Sequence, residues 1–301
     1  MYPYPIYPYY SSQKKVKQKP VVFPPQHQER HPGLEYKMDP RPISEWDGYK
    51  ASGKLKNKVA IISGGDSGIG RAVAYAFVKE GASVVIPYLN EHRDAEETKR
   101  RIEELGGKCL LIPGDLGQEY MSYQVVSQTI QTFGRLDILV NNHAIQIIQD
   151  SILDISAAQL EATFRTNIFS FFYMVKACLP YLKEGSSIIN TTSITAYDGQ
   201  EKLIDYSATK GAITTFTRSL AISLVNKGIR VNGVAPGPIW TPLIPSSFSA
   251  KGVTSFGTDT EMKRPGQPFE LAPTYVYLAG DDSRFVTGQV LHVNGGRYRT
   301  S

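Results

Sequence analysis

The chain is 301 residues long with 41% apolar side chains, enough for a sizeable core and too apolar for wholesale disorder. Its formal net charge is +5, but residues 1–58 carry 11 Lys/Arg against 5 Asp/Glu while the other 243 carry 22 against 23. The globular part therefore lacks the basic face that a nucleic-acid-binding domain shows.

The chain opens on alternating Tyr and Pro from Met1 to Tyr10, followed by Lys14, Lys15, Lys17 and Lys19 and a second Pro-rich stretch to about Pro42. Such Pro density forbids a helix and favours extended, polyproline-like chain. Residues 1–54 read as an N-terminal arm, solvated by default. The alternative is an arm that packs its tyrosines, Phe23 and Trp46 on a neighbouring subunit, or that docks a partner.

From Lys58 the texture changes. Val59 to Ser63 is a short apolar strand, glycines follow at once, and Ile69 to Glu80 reads as a helix closed by Gly81. Strands are expected at Ser83–Tyr88, Lys108–Pro113, Leu136–Asn141, Ser187–Thr191, Arg230–Ala235 and Gln289–Val293. Between them lie helical stretches at Asp94–Leu105, Gln118–Phe133, Ser156–Leu182, Tyr206–Lys227 and Glu270–Ala279. This alternation predicts an α/β fold: a doubly wound, seven-stranded parallel sheet with helices on both faces, one domain over residues 55–301.

Ser63-Gly64-Gly65-Asp66-Ser67-Gly68-Ile69-Gly70 sits where the first strand turns into the first helix. Glycines there let backbone approach a pyrophosphate, whose charge suits the free N–H groups of a helix start. The spacing lacks the Gly-Lys-Ser/Thr ending of an ATP-binding loop. At the end of the second strand, where an acid would hold adenine ribose hydroxyls, stand Tyr88, Leu89 and Asn90, with Glu91, His92 and Arg93 following. NAD or NADP fits, with a slight lean to NAD. Asp115-Leu116 and Asn141-Asn142 fall at strand C-terminal ends, where ligands of open α/β sheets gather.

Tyr206 and Lys210 lie four residues apart on one helical face. An ammonium so placed is expected to stabilise the phenolate and lower the Tyr206 pKa toward neutrality, helped by an oxidised nicotinamide. Ser193, just after a strand, can donate a hydrogen bond to a substrate oxygen. Cys109 and Cys178 form no C-x-x-C pattern, and no metal or disulfide framework is expected. No apolar run reaches the roughly 18 residues of a membrane span, and no apolar signal core stands at the start. A cytoplasmic location is the expectation.

In combination these motifs resemble the short-chain dehydrogenases/reductases over residues 55–298. Ser63 to Gly70 is similar to that family's Thr-Gly-x-x-x-Gly-x-Gly, and Asn141-Asn142-His143-Ala144 to its Asn-Asn-Ala-Gly with two replacements. Asn167, Ser193, Tyr206 and Lys210 match its catalytic tetrad. Pro236-Gly237-Pro238-Ile239 with Thr241 is similar to the segment over the nicotinamide, and Val286-Thr287-Gly288 to Asn294-Gly295-Gly296 to the last strand and turn. The Tyr/Pro-rich arm resembles that of a bacterial subgroup of oxidoreductases. The resemblance implies an enzyme in which Tyr206 moves the proton as hydride passes to or from a nicotinamide. Lys210 would hold the ribose, Ser193 position the substrate, and Asn167 keep a water that links Lys210 to solvent. It implies cofactor contacts from Ser63, Gly64, Asp66, Ser67, Gly68, Ile69, Gly70, Tyr88, Leu89, Asp115, Leu116, Asn142, Ala144, Tyr206, Lys210, Pro236, Gly237, Ile239 and Thr241.

The least patterned stretch, Trp240 to Gly266, reads as a mobile lid, with Ile145, Gln146, Ile194, Tyr197 and Gln200 as further pocket candidates. The substrate expected is a small alcohol or carbonyl compound, sugar-like or aliphatic. Two long helices apolar on more than one face suggest a homo-oligomer, a tetramer by the resemblance. The rival function is a non-enzymatic dinucleotide-binding module whose arm recruits a partner.

Overall fold

A computed structural model describes Lys19 and residues 21–299; the stretch from Met1 to Tyr10 and the lysines at 14, 15 and 17 lie outside the described residues. The strands are β1 (Val59–Ile62), β2 (Ser83–Tyr88), β3 (Cys109–Pro113), β4 (Ile138–Asn141), β5 (Ser187–Thr191), β6 (Arg230–Pro236) and β7 (Val290–Val293). All are parallel, in the order β3-β2-β1-β4-β5-β6-β7. The helices are α1 (Gly68–Lys79), α2 (His92–Glu104), α3 (Glu119–Phe133), α4 (Ala157–Phe164), α5 (Ser170–Cys178), α6 (Thr195–Asp198), α7 (Ile204–Leu224), α8 (Ala250–Thr254) and α9 (Pro268–Ala279). This is the doubly wound seven-stranded sheet that the alternation predicts.

The two faces of the sheet carry separate cores. Ala60, Ile62, Val84 and Ile86 pack on α1 and α9 with Val73, Phe77 and Tyr275, while Ile61, Val85 and Leu139 pack on α3 and α5 with Val125 and Met174. Period-two alternation that is apolar on both faces is why the central strands read as continuous apolar runs. Strand order reverses between β1 and β4, which both pair with neighbours in register (Ile61 opposite Val85 and opposite Leu139). A crevice opens at such a switch point, above the C-terminal strand ends.

Two expectations need correction. The single helix expected over Ser156–Leu182 is instead α4, a π-turn over Arg165–Phe169, and α5. The default of a solvated arm also fails for the described part, because residues 21–54 pack on their own domain. Phe23 stacks on Trp240 with ring centroids 3.7 Å apart, Met38 joins the same small core, and the Trp240 indole N–H donates to the Pro40 carbonyl at 2.8 Å. Trp240, at the root of the expected lid, is thus fully buried and anchored rather than mobile.

Candidate active site

The groove above the switch point has two compartments with a common wall. The first, a cavity of about 200 Å³, is lined by Gly64, Asp66, Ser67, Gly68, Ile69, Tyr88, Leu89, Asp115, Leu116, Asn142, Ala144 and Thr241 among others. The second, about 160 Å³, is lined by Ser193, Tyr206, Lys210, Pro236, Gly237 and Ile239. Ile69, Asn142, Ala144 and Thr241 border both. Of the further pocket candidates Tyr197 lines neither compartment, its ring packing on His292 and Tyr298; of the expected catalytic and cofactor residues, only Ser63, Gly70 and Asn167 line neither.

Those three act from behind the walls. A Cβ on Gly70 would sit 2.1 Å from the Gly64 carbonyl oxygen, so only glycine lets α1 start this close to the turn. The Ser63 hydroxyl donates to the Val140 carbonyl at 3.3 Å and accepts from the Asn142 N–H at 2.9 Å, tying the turn to β4. Asn142 returns a side-chain N–H to the Ser63 carbonyl at 3.2 Å. Asn167 lies in the π-turn, whose extra residue turns its amide inward. There it accepts from the Ile145 N–H at 2.8 Å and donates to the Ile145 carbonyl at 2.9 Å and to the Thr209 hydroxyl at 3.1 Å.

The two replaced residues, His143 and Ala144, both line the groove. His143 is neutral: burial, with the Lys210 charge nearby, pushes its pKa down to about 4. Its ring nitrogens meet the Ser63 hydroxyl at 2.7 Å and the Ser170 hydroxyl at 2.8 Å, so the imidazole bridges the glycine turn to α5. Sequence spacing gave no sign of this bridge.

In the second compartment α7 presents Tyr206 and Lys210 to the end of β5. The Lys210 ammonium donates to the Thr191 carbonyl at 3.0 Å and lies 5.4 Å from the Tyr206 ring centroid. Burial pushes the Tyr206 phenol up to about 12, and a hydrogen bond with Ser193 recovers part of that rise. Burial likewise pushes Lys210 down to about 7. The fall in the phenol's pKa expected from Lys210 together with an oxidised nicotinamide is not produced by the protein's own groups. Desolvation is the dominant cause, the Lys210 ammonium being committed to the Thr191 carbonyl, and the phenol keeps its proton.

Beyond the reacting groups, Gln146 is 5% exposed, and its amide nitrogen has no hydrogen-bond partner while its side chain lines this compartment. Asp198, Gln200, Arg297, Phe248 and Phe256 also line it, Arg297 pairing with Asp198 at 3.3 Å. Among the described residues no cluster of His, Cys, Asp or Glu could hold a metal ion, and no helix is long and apolar enough to cross a membrane. Sequence reasoning missed Pro32 and Gly33 as groove residues.

A parallel sheet with this switch point, this glycine turn and this Tyr–Lys–Ser cleft defines a dinucleotide-dependent class of oxidoreductase. The family model described as Enoyl-(Acyl carrier protein) reductase matches residues 64–297. The uncharacterized oxidoreductase YhdF of Bacillus subtilis (strain 168) is 65% identical over 274 residues, 91% of this chain and 95% of that protein. Glucose and ribitol dehydrogenase of Daucus carota is 52% identical, over 91% of this chain and 96% of that one. NADPH-dependent aldehyde reductase 1, chloroplastic, of Arabidopsis thaliana is 51% identical, over 90% and 96%. Among solved structures, a short-chain dehydrogenase from Burkholderia cenocepacia J2315 in complex with NADP superposes with a TM-score of 0.77 at 28% identity, covering 81% of this chain and 99% of that one. A 3-ketoacyl-(acyl-carrier-protein) reductase from Brucella melitensis complexed with NADH gives 0.73 at 30%, covering 81% and 99%. The chain belongs to the short-chain dehydrogenase/reductase family. It is an oxidoreductase of that type, and the rival binding-module reading is not favoured.

Proposed function

We infer that this protein interconverts an alcohol and a carbonyl compound with a nicotinamide dinucleotide. One observation carries the reading: the Tyr206, Ser193 and Lys210 side chains meet in a cleft that shares a wall with the glycine-turn groove. The bound dinucleotide supplies or takes up the hydride. Tyr206, protonated in this cleft, delivers its proton to the carbonyl oxygen in reduction and regains one from solvent; in oxidation its phenolate, formed by prior loss of that proton, takes the alcohol's proton. Ser193 donates a hydrogen bond to the same oxygen. Lys210 would hold the ribose of a bound dinucleotide, and when protonated it keeps a positive charge beside the phenol. Both side-chain N–H groups of Asn167 are already engaged, so a water at this amide must donate to its oxygen rather than accept from it.

The groove suits NAD more than NADP. Asp66 and Glu91 bring two carboxylates into the first compartment, and among the described residues no Lys or Arg lines it. Burial and the Glu91 charge push the Asp66 pKa up to about 7. Carboxylates accept ribose hydroxyls and repel a 2′-phosphate. The relative named NADPH-dependent stands on the other side of this question, and the NADP- and NADH-bound neighbours on both.

The substrate class that fits is a small polyhydroxylated alcohol or its carbonyl partner. The unpartnered Gln146 amide offers a donor deep in the cleft, and the lining adds Asp198, Gln200 and Arg297. The names of the carrot and Arabidopsis relatives, a sugar and polyol dehydrogenase and an aldehyde reductase, support this reading. A homo-oligomer, a tetramer by family resemblance, is supported by Leu160, Phe169 and Phe172 on the α4–α5 run and Ile222 on α7, all exposed apolar side chains. A monomer mass at every concentration refutes the assembly.

The test is nicotinamide turnover with a panel of polyols, aldoses and simple aldehydes. Tyr206→Phe is expected to lower kcat by about 10²–10⁴-fold with cofactor binding kept. Gln146→Leu is expected to raise KM for polyols and leave it for simple aldehydes. Unchanged turnover in Tyr206→Phe overturns the mechanism.

A further inference from the structure

The family match begins at residue 64, yet two walls of the dinucleotide groove are tied together by chain that precedes it. On one side the arm grips the glycine turn. The Glu35 carboxylate accepts the Gly68 N–H at 2.6 Å and pairs with Arg71 at 2.6 Å, while the Glu35 and Tyr36 N–H groups donate to Asp94 at 2.8 and 3.0 Å. Arg30 pairs with Glu91 at 3.0 Å, next to the Asn90 side chain that it also contacts.

On the other side the same few residues grip the segment after β6. The Gln28 N–H donates to the Pro245 carbonyl at 2.8 Å, and His27 and His31 ring nitrogens meet the Phe248 carbonyl at 2.8 Å and the Ser246 hydroxyl at 3.1 Å. Gly33 lies so close that a Cβ there would be 2.3 Å from the Pro242 carbonyl oxygen and 3.1 Å from the Ser246 Cβ. Between the two grips, Pro32 and Gly33 face the cavity itself, beside Asp66, Tyr88 and Pro242.

We propose that residues 27–35 of the arm are a cofactor-binding element: a fourth wall for the adenosine half of the dinucleotide, and a latch that holds the segment of residues 242–248 over it. This rests on the dinucleotide reading of the groove. The physical reason is preorganisation. A wall fastened at both ends before the ligand arrives spares the ordering cost at binding and must come loose for release. Among the described residues none of the arm lines the Tyr206–Ser193 compartment itself, although the arm holds Phe248, which does. The latch therefore shows in cofactor affinity and residence, with the Leu243 and Phe248 wall of the second compartment held along with it.

The test measures binding directly, by fluorescence titration and stopped-flow release of NADH, and of NADPH in parallel, on full-length protein. Gly33→Ala drives a methyl into the Pro242 carbonyl and forces arm and segment apart. Its dissociation constant for NADH is expected to rise about tenfold, through faster release. His31→Ala removes one contact without adding volume and is expected to give about threefold. Hydrogen exchange in residues 242–248 of the cofactor-free variants is expected to quicken. Should Gly33→Ala fail to fold, His31→Ala with its exchange rates decides. Dissociation constants within about twofold of wild type, with exchange unchanged, overturn the proposal. If wild-type protein binds neither NADH nor NADPH, the dinucleotide reading itself falls, an outcome distinct from the first.

Discussion

Ile61 and Glu35 are almost equally buried, at 0% and 1% exposure, and they arrive there by opposite routes. Ile61 belongs to a strand whose neighbours are apolar on both faces, so its burial follows from local pattern and from the helices the sheet must wear. Glu35 belongs to a Pro-rich segment with no period, only a single short turn over Glu35–Lys37. It is buried because a helix start, a guanidinium and an acidic neighbour were already in place to receive it. Order in the domain is built from within; order in the arm is borrowed from the surface it lies on.

The comparison breaks most readily at Glu35. Glu35→Ala strips one carboxylate from buried Arg71 and leaves the Gly68 N–H without its acceptor. The expected cost is about 3 kcal/mol in urea unfolding, within the range for breaking a buried pair. A loss below about 1 kcal/mol would show that the arm contributes little to the cooperative unit.

Within the domain, His143→Ala removes two hydrogen bonds between the glycine turn and α5. About 1–3 kcal/mol of stability at pH 7 is expected to go with them. The sign with pH sharpens the test. The imidazole is held down at about 4 in the fold against 6.5 ordinarily, so the unfolded chain binds its proton first. Wild type should lose stability as pH falls from 6.5 toward 4, a loss that His143→Ala lacks, and unfolding midpoints at pH 7 and 5 read the difference.

The smallest effect joins both regions, since Arg30 of the arm faces Glu91 beside Asp66. Asp66 ionises at about 7, so between pH 6 and 8 the groove gains negative charge. The ratio of NADP to NAD dissociation constants is expected to rise by about threefold over that interval, the 2′-phosphate's own ionisation adding to it. Calorimetric titration with Asp66→Asn should give a flatter rise.

Most of the fold was legible because β2 and β5 announce themselves: Ser83–Tyr88 and Ser187–Thr191 are found at their expected bounds. Residues near the glycine turn and the Tyr206–Lys210 helix were placed by the same signals, strand followed by glycine or by paired side chains one turn apart. Three features escaped. The π-turn that carries Asn167 leaves no mark in apolar spacing, although the residue itself was picked out by the resemblance. The Tyr206 phenol was expected to be acidic because sequence shows the neighbouring charge and hides the desolvation. Pro32, Gly33 and Glu35 sit in a stretch whose only local message is that it cannot be a helix, and their role depends on surfaces far along the chain.

The π-turn has a consequence for how this helix is read from one end to the other. One surplus residue advances every later side chain by about 100° around the axis relative to an unbroken helix. Leu160 before the turn therefore looks outward, whereas Phe171 and Met174 after it are fully enclosed. A one-residue deletion anywhere in Arg165–Phe169 would restore regular winding and, in doing so, swing either the amide of Asn167 or the enclosed ring of Phe171 out of its seat; the helix is kept irregular so that both can be inside at once.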